Sequence, residues 1–190
     1  MMLADTHCHL DYPEFDGQRQ AVVEQARANG IGMILDPGTN LASSKASLGL
    51  SRRFDEVYVA VGVHPNDAEE WQANSIEELR NLAQDKKCLA IGEIGLDYYW
   101  DKTEPAHQKK ILNAQLELAA ELGLPVIIHN READDDCAEM LCQWQQSLMA
   151  NASPLAQRPG VFHSFSGSAS MGEKVLAHNF FIGVTGPVTF

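Results

Sequence analysis

Four stretches of this chain place metal-ligating side chains where an apolar run stops. The first is Asp5-Thr6-His7-Cys8-His9. In extended backbone successive side chains point to opposite faces, so Asp5, His7 and His9 share one side while Thr6 and Cys8 share the other. Two imidazoles on one side can grip one divalent cation; Cys8, turned away from them, is assigned to packing. The second is Ala90-Ile91-Gly92-Glu93-Ile94-Gly95-Leu96-Asp97, which sets Glu93 where a strand runs out into a glycine-flanked loop. A carboxylate has two oxygens and can bridge two cations, although a capping or surface glutamate between turn glycines is the plainer alternative. The third and fourth are Val126-Ile127-Ile128-His129 and Val161-Phe162-His163. A lone strand-end histidine is more often structural than a ligand. The coincidence is what counts: His7 and His9, Glu93, His129 and His163 each end a different apolar run. If the strands are parallel and curl into a barrel, those ends meet at one mouth, and a histidine–carboxylate cluster there suits Zn, Mn or similar ions.

The pattern that must position these residues is an alternation of short apolar runs with longer amphipathic stretches. The runs are 3–6, 33–36, 57–61, 89–92, 126–128, 160–162 and 180–184, apolar on both faces as buried strands are. Helical periodicity fills the intervals at 18–29, 42–54, 75–84, 104–122, 134–148 and 171–177. Gly30 sits where a helix C′ residue belongs, Ser75-x-x-Glu78 reads as a capping box, and Gly123 with Pro125 closes the longest helix. Strand–helix alternation predicts an α/β fold with a parallel sheet. No GxGxxG or Walker loop follows a strand, which weighs against a doubly wound nucleotide-binding sheet. The better match is a (β/α)8 TIM-barrel type, incomplete, with about seven strands present and the eighth unit missing, since a full barrel takes ~250 residues. Residues 1–190 are therefore expected to form a single domain lacking the C-terminal part of its barrel.

The chain of 190 residues is 45% hydrophobic, enough for a substantial core. No apolar stretch of about 18 residues occurs, so no membrane span is expected. The start, Met1-Met2-Leu3-Ala4-Asp5, lacks the basic and apolar regions of a secretory signal. Cys8, Cys88, Cys137 and Cys142 are scattered without a CxxC pair, as reduced thiols of a cytoplasmic protein would be. A net charge of −12 opposes broad electrostatic binding of nucleic acid. A polyanionic substrate would need local cations, and bound metal would supply them.

With those residues in place, the chain resembles the TatD family of metal-dependent deoxyribonucleases, within the amidohydrolase-like barrels. The matching motifs are D-T-H-C-H-L-D at 5–11, G-V-H-P at 62–65, G-E-I-G-L-D-Y-Y at 92–99, P-V-I-I-H-N-R at 125–131 and H-S-F-S-G at 163–167. They fall in the family's order across nearly the whole chain, and G-E-I-G-L-D-Y-Y is the specific one. The resemblance implies two divalent ions per site (Zn, Mn or Mg), with His7 and His9 on one, Glu93 bridging, and His129 and His163 on the other. It implies DNA as substrate, cut at its ends; some relatives are described as acting on D-aminoacyl-tRNA. The chain departs from the family at Ser164, where many relatives have Cys. It also ends before the E-T-D motif whose acid is a further metal ligand in the family, so activity of this chain is the open expectation.

The expected chemistry is metal-activated water attacking phosphorus in line, with the cations neutralising phosphoryl charge. Arg131, two residues past His129, is a candidate for bidentate phosphate contact, or for an ion pair with Glu132 or Asp134. His64 is a candidate phosphate contact or proton donor, or a turn histidine before Pro65. Asp97 and Tyr98 are candidates to support the metal shell or line the cleft. Two other readings remain: a small-molecule amidohydrolase, against which stands the absence of a lysine at the strand ends that hold Glu93 and His129, and a catalytically impaired metal-binding fragment. Oligomeric state is not legible in the sequence.

Overall fold

A computed structural model describes residues 2–189. Seven strands form one sheet, each beside its successor and all parallel: β1 (Leu3–Asp5), β2 (Ile31–Pro37), β3 (Val57–Val61), β4 (Cys88–Asp97), β5 (Val126–Arg131), β6 (Gly160–Phe162) and β7 (Phe181–Ile182). Six helices connect them: α1 (Arg19–Ala28), α2 (Leu41–Ser51), α3 (Ser75–Leu82), α4 (Pro105–Leu122), α5 (Asp134–Ala150) and α6 (Ala169–Ala177). The sheet curls as a TIM-type barrel does, and among the described residues β1 and β7 do not pair.

The pleat separates two apolar layers. Val59, Val61, Ile91 and Ile128 join a large cluster with Leu112, Leu116, Leu141 and Trp144 from the helices. Leu35, Ala60, Ala90 and Ile127 form a small cluster of strand residues only, which places it on the concave side. Alternation along β3 thus sends valines outward to the helices and a small alanine inward, where the curl leaves little room.

The largest difference from the sequence reading is β4. It runs through Asp97 instead of stopping near Gly92, so Glu93 lies within a strand and not at a loop entrance. Its glycines are close-approach residues: a Cβ on Gly92 would meet the Ile127 Cβ at 2.7 Å, and one on Gly95, whose φ is +151°, would meet the His129 carbonyl oxygen at 1.8 Å. The β4–β5 register shifts between Ile91 and Ile94, at Glu93. The Ser75-x-x-Glu78 capping box does not form. Asn74 precedes α3, Ser75 Oγ accepts the Gln72 N–H, and Glu78 accepts from the Asn74 side chain. A capping box occurs instead at α2, where Asn40 and Ser43 exchange side-chain and backbone bonds. Gly30 and Gly123 do take left-handed conformations just past α1 and α4.

Two buried glutamines of α4 tie the helix to strand ends. Gln115 Oε1 accepts the Val63 N–H at 2.8 Å and its Nε2 donates to the Val63 carbonyl at 3.0 Å. Gln108 Oε1 accepts the Asp97 N–H, and its Nε2 donates to the carbonyls of Asp97 and Thr103. Each amide replaces the ladder partner that a diverging strand end has lost. Gln115→Leu keeps the helical face apolar but strands both polar groups of Val63, the residue before His64. Urea unfolding should show a loss of about 2 kcal/mol or more; an unchanged midpoint would contradict this assignment.

Candidate metal centre

All five histidines singled out in the sequence converge on Glu93. His7 and His9 lie just past β1, His64 three residues past β3, His129 within β5 and His163 just past β6, while Glu93 projects from β4. The Glu93 carboxylate divides them. His7 Nε2 and His9 Nε2 lie 3.3 and 3.5 Å from Oε2; His163 Nε2, His129 Nδ1 and His64 Nε2 lie 2.6, 3.1 and 3.6 Å from Oε1. His7 and His163 close the circle, with rings stacked at 3.9 Å. The Glu93 side chain is only 4% exposed. Burial pushes its carboxyl up, but the close approach of His129, His163, His7 and His9 outweighs this and holds it well below the usual range.

For His9, His129 and His64, partners on the far side of the ring define what faces Glu93. His9 Nδ1 lies 3.1 Å from the Pro37 carbonyl oxygen, an acceptor only, so Nδ1 carries the proton and a neutral ring turns its Nε2 lone pair toward Glu93. His129 Nε2 lies 2.9 Å from Asp97 Oδ2 and donates to it, so the lone pair on Nδ1 faces Glu93 and, at 3.4 Å, His163 Nε2. His7 Nε2 and His9 Nε2 face each other at 3.1 Å. Lone pairs directed at one another and at a carboxylate repel unless a proton or a cation lies between them. This donor set therefore fits divalent cations, and two triads have their ligand atoms within 4.8 Å of one another: His7, Glu93, His163 and His64, Glu93, His129.

His64 differs from the others. Its Nδ1 accepts the Asn66 N–H at 3.1 Å, so in the neutral ring the proton sits on Nε2, the atom that faces Glu93. Burial, the largest influence, pulls the ring's pKa down to about 4 and keeps it neutral. His64 thus presents an N–H where His9 and His129 present lone pairs. The opposite balance holds at His129 and His9: burial lowers each, and the Glu93 charge outweighs it and raises them.

Strand-end carboxylates do the bracing, and the sequence reading passed over one of them, Asp36. Asp36, fully buried at the end of β2, accepts the Leu10 N–H through Oδ1 and so seats the loop that carries His7 and His9. Burial and neighbouring Asp11 push Asp36 up to about 7. His9, Asp11 and Asp36 also approach ligand spacing, but both ring nitrogens of His9 are already committed, to Pro37 and to the Glu93 cluster. Asp36 ends an apolar run just as Glu93 does, and that was the available signal. Asp97 supports the cluster as expected, through His129. Tyr98 does not support it: its hydroxyl donates to Asp136 Oδ2 at 2.7 Å, fastening the loop to α5, and it lines a cleft beside Arg131 and Ser166. Cys8 packs against the apolar cluster of Leu10, Val23 and Ile34. Arg131 is exposed and makes no ion pair with Glu132, Asp134 or any other described residue; its guanidinium lies 3.8 Å from the Tyr99 ring centroid.

Two clefts meet at His129 and His163. One, about 330 Å³, leads past Tyr12, Asn66 and Lys102 to Glu93; the other, about 700 Å³, runs past Arg131, Ser164 and Phe165 toward Val184. No helix of the described residues is long and apolar enough to cross a membrane.

The TatD-related DNase family model matches residues 4–190. The chain is 34% identical over 189 residues to the uncharacterized metal-dependent hydrolase YabD of Bacillus subtilis, covering 100% of this chain and 71% of that one. It is 38% identical over 183 residues to the 3'-5' ssDNA/RNA exonuclease TatD of Erwinia tasmaniensis, covering 96% and 67%. The crystal structure of the Escherichia coli TatD homologue YJJV superimposes with a TM-score of 0.89 at 34% identity, over 99% of this chain and 70% of that one. A 5-methylcytosine deaminase from Klebsiella pneumoniae, at 15% identity and a TM-score of 0.57, shares the fold alone.

The Asp97 carboxylate is the partner that orients His129, and such outer partners are typically worth 10- to 100-fold in metal affinity. Asp97→Asn is expected to weaken Mn²⁺ binding by about that factor in titration calorimetry. An unchanged isotherm would show that His129 is not held for a cation.

Proposed function

The chain belongs to the TatD-related DNase family of metal-dependent hydrolases, and on that footing we propose that it cleaves phosphodiester bonds of DNA at a two-cation centre built around Glu93. The observation that carries this reading is the division of the Glu93 carboxylate, with His7 and His9 on Oε2 and His129 and His163 on Oε1. A carboxylate shared in this way is what a bridge between two ions, Zn, Mn or Mg, requires. Divalent cations held there supply activated water and neutralise charge on the phosphoryl oxygens.

The chain's own groups supply the rest. His64 Nε2–H, in a neutral ring beside Oε1, donates a hydrogen bond to a phosphoryl oxygen or leaving oxygen seated at the cluster. Arg131 has no carboxylate partner among the described residues, so its guanidinium is available to a phosphate at the mouth. Asp97 keeps His129 in the tautomer whose Nδ1 faces inward. Lys102, on the smaller cleft, adds a cation to a surface whose overall charge is −12. Polyanion binding then rests on local groups instead of a basic face.

The test is release of nucleotides from single-stranded DNA by the purified chain with Mn²⁺, Mg²⁺ or EDTA, beside Glu93→Gln. Cleavage should need the metal and fall by about 100-fold or more in the variant, the scale for loss of a preorganised electrostatic group. Cleavage that survives EDTA, or is equal in Glu93→Gln, would refute the proposal, as would a metal-loaded chain that hydrolyses amides or lactones and no phosphodiester.

A further inference from the structure

The loop between β4 and α4 carries two aromatic side chains that the hydrophobic core does not use. Tyr99 and Trp100 are each 48% exposed, and their rings meet edge to face at 4.9 Å and 88°. Arg131, opposite Asp97 in the β4–β5 register, lays its guanidinium 3.8 Å from the Tyr99 centroid and 5.6 Å from that of Trp100. The backbone beneath the aromatic pair is fixed in place. Asp97 Oδ1 accepts the N–H of both Tyr99 and Trp100, at 3.1 and 3.0 Å, while Oδ2 of the same carboxylate accepts the His129 Nε2–H. One side chain therefore spaces the aromatic pair from the histidine cluster. Arg131 lines the larger of the two clefts that reach His129.

We infer that Tyr99, Trp100 and Arg131 form a stacking subsite for a base of single-stranded nucleic acid, adjoining the phosphodiester held at the histidine cluster. The inference rests on the nuclease reading and adds a strand preference to it. Every base has a flat π face, so an aromatic platform accepts bases without regard to sequence. Inside a duplex those faces are covered by neighbouring pairs, so an unpaired nucleotide lies on the platform more readily than an internal base pair. The guanidinium serves both parts of a nucleotide, through its plane to the base and through its N–H edge to the phosphate. The charge of −12 makes such short-range contacts necessary, because long-range attraction to a polyanion is absent. With few cationic contacts, affinity should also fall only gently with added salt.

The experiment is fluorescence anisotropy of a labelled oligothymidylate on the metal-loaded chain, with steady-state cleavage alongside, for wild type, Trp100→Ala, Trp100→Phe and Tyr99→Ala. Trp100→Ala is expected to raise Kd and KM by about tenfold, the scale of one base–aromatic stack. Trp100→Phe should recover most of this, and the deficit should vanish on an oligonucleotide made wholly of abasic sites. Because Trp100 is half-exposed, its thermal midpoint serves as the folding control. A Trp100→Ala effect of equal size on the abasic strand, or no effect on oligothymidylate, overturns the subsite. Wild-type binding with the expected Trp100 dependence but no cleavage overturns the nuclease reading and leaves the subsite standing; absence of binding overturns the subsite.

Discussion

A carboxylate that is 4% exposed carries a charge that water cannot solvate, and the arrangement around Glu93 follows from that. The charge must be met by protons or cations from the protein side. Five imidazoles supply the surroundings, and each is a group whose proton can be exchanged for a metal ion. Lysine or arginine in those places would neutralise Glu93 permanently and close the site. Histidine leaves it open to divalent cations.

Such a cluster needs its donors aimed, and for three of the five rings the aim comes from the far side. The Pro37 carbonyl turns His9, Asp97 turns His129, and the Asn66 N–H turns His64 the opposite way. These partners depend in turn on strand ends held by α4, where Gln108 and Gln115 replace ladder partners of Asp97 and Val63. Packing, backbone hydrogen bonding and ligand geometry are thus one connected structure. The close approach of Gly95 to the His129 backbone belongs to it as well, since any side chain there would separate β4 from β5 where Glu93 and His129 approach each other.

Much of this is legible in the sequence. His7, His9, Glu93, His129 and His163 each follow an apolar run, and parallel strands bring such ends together. What the sequence hid lay in register and backbone. Gly92 and Gly95 look like turn residues because a glycine that permits a turn and one that permits close strand contact are the same letter, so β4 was read too short. The Asp97–His129 pairing depends on the irregular β4–β5 register, which composition does not encode. Ser75 seemed a cap because Glu78 follows at the right spacing, but Asn74 reached Glu78 first. Gln115 sat on an apolar face without a visible reason until Val63 supplied one. The exposure of Tyr99 and Trp100 was likewise hidden, since aromatic residues next to a strand ordinarily pack inward.

The most direct measurement of the central claim, that Glu93 bridges two cations, is an anomalous difference map from crystals grown with Mn²⁺. The account predicts two peaks flanking the Glu93 carboxylate, one beside His7 and His9 and the other beside His129 and His163. A single peak away from Glu93, or one seated between His9, Asp11 and Asp36, would contradict it.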